Sequence, residues 1–480
     1  MTFGEKKMAV FSIVKLSELE GAKRMDAEYY RPEYLEIIDI LTIKKAKPLI
    51  KLATDVICGP FGSSILERDY RPEGVPLIRV SDTADLFIKD DDLVFIDDSL
   101  SEKMKRYQVF PGDLVVSQRG TIAMFSLVTR KFSKWNISAN LISIKKSNKI
   151  NFNYLLIFLN SFYGASQLFR KQSGEVQPKI TTDDVKQLLV FVANSDIQEK
   201  VSDLVELAYK EKEISYSLYS QAESLLLEEL GLKDFKPKYE KTYTDKLSDA
   251  FSAHRIDAEY FQPAYEEVIK LLMKKVKVEK LKNVVSFISH GKQPYYVENG
   301  DIPVLIQKHL GSQLLSLYSE IVNMPDTPRT DREFVKKYPE YLIKPFDVLF
   351  YSVGAYLGRA NVVLENFEAV PASFITLIRT KQEVCNPVYL ALFLNSKIGQ
   401  LQSSRWKSAS AQQYIYPKEI KEFIIPILPL EIQQEIASLV QQSHEARKKA
   451  KELLELAKRA VEIAIEEGEE KAINFLSRIK

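Results

Sequence analysis

The stretch RMDAEYYRP at residues 24–32 is written a second time as RIDAEYFQP at residues 255–263. Most of the nine positions are identical, and the Met-to-Ile and Tyr-to-Phe exchanges keep the character of the side chain. A nine-residue echo can arise by chance, but an offset that is kept along the whole chain cannot. An internal repeat on this scale decides the fold, because each copy forms one structural unit.

The echo continues downstream at an offset of 234 or 235 residues, with proline, aspartate and glycine in matching places. The chain is therefore a tandem duplication of a unit of about 235 residues. The matching segments are 107–123 with 341–357, 153–164 with 388–399, 176–180 with 411–415, and 196–205 with 431–440.

Both copies follow one plan: a short amphipathic helix, short β-rich runs broken by Gly, Pro, Asn and Asp, a brief helix, and a long closing helix. The plan predicts an α+β protein in which two globular α/β domains are separated by two long antiparallel coiled-coil helices with pseudo-twofold symmetry. The predicted boundaries are 1–193 for the first domain, 194–232 for the first long helix, 233–250 for a linker, 251–428 for the second domain and 429–480 for the second long helix.

The closing helices carry apolar residues in alternating steps of four and three. From Ile432 to Ala464, nine of the ten positions on this seam are apolar or alanine, whereas Glu211 and Ser215 interrupt the seam of the first copy. Such a seam predicts that the two helices pair with each other. An ordinary amphipathic surface helix is the alternative. A paired rod of roughly 50 Å would separate two sites on duplex DNA by roughly 10–15 base pairs.

Composition fits an ordered protein of several domains, with 45% hydrophobic and 28% charged residues. No run reaches 18 apolar residues, so no membrane span is predicted. The first fifteen residues do not resemble a secretory signal. The two cysteines, Cys58 and Cys385, make neither a disulfide framework nor a zinc cluster. We therefore expect a chain that works in a reducing cytoplasm.

The net charge of +2 hides an uneven distribution. Residues 101–193 hold 14 basic and 5 acidic side chains, and residues 251–428 hold 22 and 18. The segments outside 1–193 and 251–428 hold 17 basic and 23 acidic residues. A basic excess in both domains indicates a polyanionic ligand, although ordinary surface variation would give a similar count.

The sequence lacks the usual catalytic signatures. It contains no GxGxxG, GxxxxGK[ST], HExxH or GxSxG motif, and none of its four histidines has a counterpart in the other copy. The tetrapeptide NPVY at residues 386–389 is similar to the motif with which amino-methyltransferases grip a flipped base. Its twin reads NFNY and both run into a helix, so we interpret Pro387 as a first-turn helix proline. The repeat favours binding over catalysis.

Several segments, in their order, resemble one family. GPFGSSILERDYRPEGVPLIRVSD, FPGDLVVSQRGTIA, YLLIFLNS, VQPKI and a long helix after IQEKV are similar to the specificity subunit of type I restriction–modification systems. The resemblance covers roughly residues 15–465. It implies a subunit without catalytic activity or cofactors of its own, whose two target-recognition domains each read half of a bipartite, asymmetric site on double-stranded DNA. It also implies helices that set the gap and dock two adenine-methyltransferase subunits, to which ATP-driven restriction subunits are added in a restriction complex.

The two copies differ where loops are predicted. The PFGS segment at residues 60–63 is replaced by HGKQPYY at 290–296, and SQRG by YSVG. Because loops carry recognition while scaffolds carry packing, the differences predict two different half-sites and a non-palindromic target. A two-headed protein-interaction scaffold that does not read DNA is the alternative function.

Candidate DNA contacts are chosen by their chemistry. Small and hydroxyl residues suit phosphate, arginine suits guanine and glutamine suits adenine. A tight turn, or an arginine held by a carboxylate, would explain several of them without DNA. The candidates in the first copy are Gly62, Ser63, Ser64, Arg79, Arg119, Arg170, Lys171, Gln177 and Lys179, and in the second Lys292, Gln293, Tyr295, Tyr296, Lys308, Tyr351, Arg405, Lys407 and Gln412.

Overall fold

The computed structural model divides the chain into two compact units. The first unit comprises residues 1–210 and 449–480, and the second comprises residues 211–448. Both long helices therefore contribute one part to each unit. The structure describes residues 11–22, 24–83, 85–90, 92–120, 123–172, 179–311, 316–324, 326–354, 356–407 and 413–479.

The first unit is built from short strands and helices, followed by the long helix α8, and it takes in the end of the chain. The helices are α1 (Leu16–Ala22), α2 (Pro32–Ile43), α3 (Leu49–Leu52), α4 (Asp98–Lys103), α5 (Phe152–Leu159), α6 (Phe162–Lys171), α7 (Thr182–Lys186) and α8 (Ser195–Glu229). The strands are β1 (Lys47–Pro48), β2 (Val56–Cys58), β3 (Val75–Ile78), β4 (Val94–Ile96), β5 (Gln108–Val109), β6 (Leu114–Ser117), β7 (Phe125–Leu127), β8 (Trp135–Ile137), β9 (Leu141–Ile144) and β10 (Leu189–Val190).

The second unit repeats this succession. The helices are α9 (Leu247–Ala253), α10 (Pro263–Lys275), α11 (Leu281–Val284), α12 (Tyr318–Asn323), α13 (Arg332–Lys337), α14 (Pro387–Asn395), α15 (Lys397–Trp406), α16 (Pro417–Ile420) and the first part of the long α17 (Leu430–Glu466). The rest of α17 and the closing helix α18 (Glu469–Leu476) belong to the first unit. The strands are β11 (Lys277–Lys280), β12 (Val285–His290), β13 (Ile302–Leu305), β14 (Arg329–Thr330), β15 (Val348–Tyr351), β16 (Ala360–Val362), β17 (Val370–Pro371), β18 (Ile375–Thr380) and β19 (Ile424–Ile427).

The two units have matching sheets. In the first unit, an antiparallel sheet has the order β2-β9-β6-β7 and a mixed sheet the order β4-β3-β8-β5, in which β3 and β8 are parallel. The second unit has β12-β18-β15-β16 and β14-β13-β17, in which β13 and β17 are parallel. Two-stranded ladders β1–β10 and β11–β19 close the units. The duplication inferred from the sequence is thus present in the strand pairing.

A predominantly apolar helix lies in the core of each unit, α5 in the first and α14 in the second. Helix α14 is buried along its whole length, because apolar side chains surround it on every face. Asn386 caps it by accepting the amides of Val388 and Tyr389, at 2.9 and 3.3 Å. The Tyr389 hydroxyl is buried and donates to the carbonyl of Pro426 at 2.8 Å. The NPVY segment is therefore a helix start with a proline in its first turn, as the sequence predicts.

The segment at residues 24–32 contacts the C-terminus of helix α6. Arg24 pairs with Asp26 and donates to the carbonyl oxygens of Lys171 and Gln172, at 2.9 and 3.0 Å. These carbonyls lie at the C-terminus of α6, where the helix leaves its last acceptors unpaired and carries partial negative charge. A planar guanidinium has enough donors to bind the carboxylate and both carbonyls together.

The second copy makes the same clamp. Arg255 pairs with Asp257 and donates to the carbonyls of Trp406 and Lys407, at 3.3 and 3.0 Å. The hydrogen bonds from Arg255 lower the pKa of the Asp257 carboxyl below its ordinary value. In each unit, the repeated nine-residue segment therefore packs against the C-terminus of a helix, α6 in the first and α15 in the second.

Most positions of the predicted seam are buried, and the others are half-buried. In the second unit, the Ser215 and Ser443 hydroxyls lie 3.0 Å apart, and Ser443 donates to the Ser215 carbonyl at 2.7 Å. This polar contact sits where the sequence shows a gap in the apolar seam. The buried apolar seam residues in the first unit are Ile197, Val201, Ala208, Ala450, Leu453, Ala457, Ala460 and Ala464, and in the second Ala222, Ile436 and Ala446.

Candidate nucleic-acid interface

Four loops meet at one edge of the sheet β2-β9-β6 in the first unit. The amide of Gly59 donates to the carbonyl of Leu141 at 2.7 Å. The backbone amide of Gln118 donates to the backbone carbonyl of Asn140 at 2.8 Å, and the backbone carbonyl of Gln118 accepts from the backbone amide of Ile180 at 3.0 Å. We call these loops the first loop cluster: residues 59–64, 117–120, 138–141 and 179–180.

The second unit repeats the arrangement bond for bond. Gly291 donates to the carbonyl of Ile375 at 2.8 Å. The backbone amide of Ser352 donates to the Phe374 carbonyl at 3.1 Å, and the Ser352 carbonyl accepts from the amide of Ile415 at 2.9 Å. We call these loops the second loop cluster: residues 291–296, 351–354, 372–375 and 413–415.

A glycine starts the first loop of each cluster because two backbone segments cross there. A Cβ on Gly59 would lie 2.3 Å from the Ser138 carbonyl oxygen, and one on Gly291 would lie 2.3 Å from the Ala372 carbonyl oxygen. No other residue fits such an approach. The scaffold of both clusters is therefore fixed by backbone geometry, while the side chains that it presents differ.

The first loop cluster exposes small, hydroxyl and basic residues. Gly62 and Ser63 are exposed within a 3₁₀ turn that also contains the partly buried Ser64. Arg119 and Lys179 are exposed and face each other across an isolated antiparallel bridge. Five of the nine residues predicted in this copy are thus brought together.

Arg79 has a structural role in this structure. Its guanidinium contacts the carboxylate of Asp82 at 3.1 Å and also the carbonyl of Asp92. The hydrogen bond to Asp82 raises the pKa of Arg79. An arginine held in this way would have to give up its carboxylate to reach a base, so its main contribution here is to the turn after β3.

Arg170 and Lys171 lie at the end of α6, beside the opening clamp. Arg170 donates to the Tyr29 carbonyl at 2.9 Å and lies over the Tyr29 ring, 4.1 Å from its centroid. Lys171 donates to the Gln187 side chain at 3.1 Å, and its burial lowers its pKa. Both residues tie helix α6 to neighbouring segments. Gln177 lies outside the described residues.

In the second loop cluster, amide and aromatic side chains replace the hydroxyls. Gln293 accepts from Ser373 and donates to the Tyr296 hydroxyl, each at 3.0 Å, which joins two loops of the cluster. Lys292 lies over the Tyr338 ring at 5.0 Å. Tyr295 donates to Asp331, and this hydrogen bond raises the pKa of Tyr295 to about 12. Tyr295 and Tyr296 are 51% and 56% exposed, so their rings face solvent.

Two predicted residues of the second copy are engaged elsewhere. Tyr351 is only 1% exposed, and its hydroxyl donates to the carbonyls of Gln307 and Gly311. Burial raises its pKa. The residue points into the core because strand β15 is buried on both faces. Lys308 lies near the cluster but forms an ion pair with Asp326.

The basic loop after α15 lies against the second clamp. The Arg405 guanidinium lies over the Tyr260 ring, 4.7 Å from its centroid. The carbonyl of the partly buried Lys407 accepts from Arg255. The start of this loop therefore packs against Arg255 and Tyr260 of the repeated segment. Gln412 lies outside the described residues.

Sequence reasoning missed a set of exposed aromatic residues on or beside the two clusters. Phe61 is 85% exposed, and Phe374, Tyr356 and Tyr416 are 52%, 55% and 43% exposed. They stand in segments bounded by Gly, Pro and Ser rather than in strands, which is the signal that could have found them. Exposed aromatic side chains in loops are common binding groups.

Other kinds of site have little support. A cleft of about 460 Å³ in the first unit is lined by polar and apolar residues, and its Arg130 is already paired with Glu206 at 2.9 Å. In the part of the chain that the structure describes, no three His, Cys, Asp or Glu side chains are placed to hold a metal ion. Among the same residues, every helix is too short or too polar to cross a membrane.

Comparison with known proteins gives one family. Residues 273–456 match the model of the type I restriction modification DNA specificity domain. No curated protein matches the chain. Among solved structures, the type I restriction-modification S subunit from M. genitalium is 13% identical, with a TM-score of 0.41, over 90% of this chain and 95% of that one. The HsdS subunit from Thermoanaerobacter tengcongensis is 15% identical, with a TM-score of 0.28, over 88% and 96%.

The family match falls on the second copy, and the first copy repeats that copy in strand order, clamp and loop cluster. The matched domain is one of DNA specificity rather than catalysis, and it does not favour a protein-interaction scaffold. Residues 273–456 are therefore a DNA specificity domain of the type I restriction–modification family.

Proposed function

We propose that each loop cluster contacts one half of a bipartite, asymmetric DNA target. One observation carries this proposal: the two clusters share their backbone hydrogen bonds but present different exposed side chains. Two domains that recognise different half-sites require a common backbone scaffold and different exposed side chains. The basic excess of both domains adds a sequence-independent attraction for the phosphates.

The exposed members of the two clusters are the proposed contacts. Hydroxyl groups and a glycine turn in the first cluster suit phosphate oxygens, whereas arginine, lysine and glutamine suit base edges. Exposed tyrosines suit sugar or thymine methyl groups. Arg79, Arg170, Lys171 and Arg405 are left out of the proposed contacts, because their charged groups are engaged within the protein. The proposed contacts are Gly62, Ser63, Ser64, Arg119, Lys179, Lys292, Gln293, Tyr295 and Tyr296.

The partners follow from the family. We propose that two adenine-methyltransferase subunits dock on the long helices α8 and α17 and that these helices set the gap between the half-sites. Restriction subunits would join the same assembly in its nuclease form. The cofactors of methylation and of DNA translocation would belong to those partners, and the complex would act in the cytoplasm.

An exchange experiment tests the modular reading. Residues 1–193 are replaced by the equivalent segment of a relative with a different target, and the hybrid is expressed with its methyltransferase partner in a host without other adenine methylation. Methylated sites are then mapped across the genome. We expect one half of the recognised motif to change and the other half to stay. A change in both halves would contradict the proposal.

Salt dependence separates a DNA reader from a protein scaffold. Because phosphate contacts release counterions, the affinity of the complex for its duplex should fall steeply between 50 and 200 mM salt, by roughly 10³-fold for six or more phosphate contacts. The complex with its methyltransferase partner is used, titrated with the mapped target and with a scrambled duplex. Binding that does not depend on salt or on sequence would favour the scaffold.

A further inference from the structure

We infer that Arg119 and Lys179 read a G·C pair in the half-site of the first unit, and that Val353 and Tyr414 contact an A·T pair in the half-site of the second. The inference rests on the proposed function, because it assigns base types to the two loop clusters. The four residues form two isolated antiparallel bridges, Arg119 with Lys179 and Val353 with Tyr414.

The two bridges have the same backbone surroundings. In the first bridge, the backbone carbonyl of Gln118, just before Arg119, accepts from the amide of Ile180, just after Lys179, at 3.0 Å. In the second bridge, the backbone carbonyl of Ser352 accepts from the amide of Ile415 at 2.9 Å. A glycine at positive φ follows in both, Gly120 at +81° and Gly354 at +96°. The side chains at these positions therefore leave the same scaffold at the same places.

The Arg119 side chain is placed for a ligand, which distinguishes it from Arg24 and Arg79 of the same unit. The Ser117 hydroxyl donates to the Arg119 carbonyl at 2.5 Å, which fixes the backbone beneath the side chain. The side chain is exposed, and within the described residues its guanidinium forms neither an ion pair nor a hydrogen bond. The guanidinium groups of Arg24 and Arg79, in contrast, are held by carboxylates.

The exchanged side chains have opposite base preferences. The donor fork of arginine binds the O6 and N7 acceptors of guanine together, and a lysine beside it adds a second donor at the same groove edge. A valine has no donor and instead packs against the C5 methyl group of thymine. Tyr414 supports such an apolar contact, because its ring packs on Tyr416 with centroids 4.6 Å apart. One bridge thus carries two positive charges and the other carries none.

The test moves side chains between the bridges. R119V/K179Y places the second unit's residues on the first bridge, and V353R/Y414K does the reverse; each variant is expressed with the methyltransferase partner and its methylated sites are mapped. We expect R119V/K179Y to lower the preference for G·C at one position of the first half-site by roughly 5-fold to 150-fold. V353R/Y414K should shift one position of the second half-site toward G·C. In each case the other half stays unchanged.

Two further variants keep the result interpretable. Arg119→Lys preserves the charge but not the fork, so a phosphate contact would keep the motif while a guanine contact would lose discrimination. Arg478→Lys makes the same exchange at an exposed arginine near the end of the chain and should leave the motif intact. If a folded variant no longer methylates, its complex is titrated with duplexes that differ only at the G·C pair, and equal affinity for both supports the inference.

The outcomes of the two proposals can be told apart. An unchanged motif, or undiminished discrimination at the G·C pair, in folded R119V/K179Y and Arg119→Lys would overturn the assignment of bases while leaving the proposed function in place. Absence of any sequence-specific methylation by the wild-type complex would instead overturn the proposed function.

Discussion

Asp347 shows why the proline–aspartate spacing recurs in both copies. Its carboxylate is 4% exposed and accepts two hydrogen bonds from Arg379, at 2.9 and 3.0 Å, and one from the amide of Lys344 at 2.9 Å. Asp113 in the first unit has the same position and contacts Lys145 at 3.1 Å. These carboxylates close the turn before a central strand of each unit, so the motif serves folding rather than catalysis.

We predict that Asp347→Ala destabilises the protein by about 3 kcal/mol, because it leaves the partly buried Arg379 guanidinium without its carboxylate. Thermal or urea unfolding of the purified chain measures the change. Glu368→Ala is the matched control, since it breaks an exposed ion pair with Arg332 and should change the midpoint little. Equal effects of the two substitutions would contradict this role of Asp347.

The clamp carboxylate Asp257 predicts a dependence on pH. Its pKa in the folded protein lies below the ordinary value of 3.8, because Arg255 donates to it. A lowered folded pKa contributes stability that is present above the ordinary pKa and is lost as the pH falls through the folded value. The difference in Tm between wild type and Asp257→Asn should therefore be largest near pH 6 and shrink toward pH 3. Asp249→Asn, which removes an exposed carboxylate of α9, is the matched control.

At the scale of the element, the buried helix α14 depends on its first residue. Asn386 accepts two backbone amides that would otherwise be unpaired near the core. We predict that Asn386→Ala costs about 1 kcal/mol of stability, while Asn386→Asp, which keeps an accepting side chain, costs less. Chemical unfolding of both variants measures this order. An equal loss in both would mean that the cap is unimportant.

The loops are the elements that distinguish the two units. Strand order and clamp are shared, whereas the bridge residues change from Arg119 and Lys179 to Val353 and Tyr414. A scaffold held by backbone hydrogen bonds tolerates such exchanges, because those bonds do not depend on which side chains the loops carry. Specificity can therefore change without loss of the fold.

At the scale of the whole molecule, each long helix contributes to both compact units. A specificity subunit of this family works in a complex with DNA and methyltransferase subunits. Helix α8 passes from one unit to the other after Lys210, and α17 passes back after Lys448. Any change in the length of these helices therefore acts on both units together.

We predict that inserting one heptad after Lys210 and one after Lys448 lengthens the gap between half-sites by about 3 base pairs. Seven residues add roughly 10.5 Å of helix, and duplex DNA rises 3.4 Å per base pair. A heptad also preserves the 3.5-residue seam, whereas a four-residue insertion in one helix alone breaks it and should abolish methylation. Mapping methylated sites of both variants provides the measurement, and an unchanged gap after the paired insertion would argue against the helices as a ruler.

The sequence alone determined the duplication, the two α/β units, the seam of the long helices and the helix start at Asn386. These features follow from periodicity and from the repeat, which are local or self-referential properties of the chain. The tertiary structure decided which polar side chains face solvent. Arg79 and Tyr351 looked like surface groups, yet a carboxylate three residues away holds one and a strand buried on both faces hides the other. Tyr351 is buried by the packing of distant segments, and the turn that brings Asp82 onto Arg79 forms only in the folded chain, so spacing along the sequence shows neither partner.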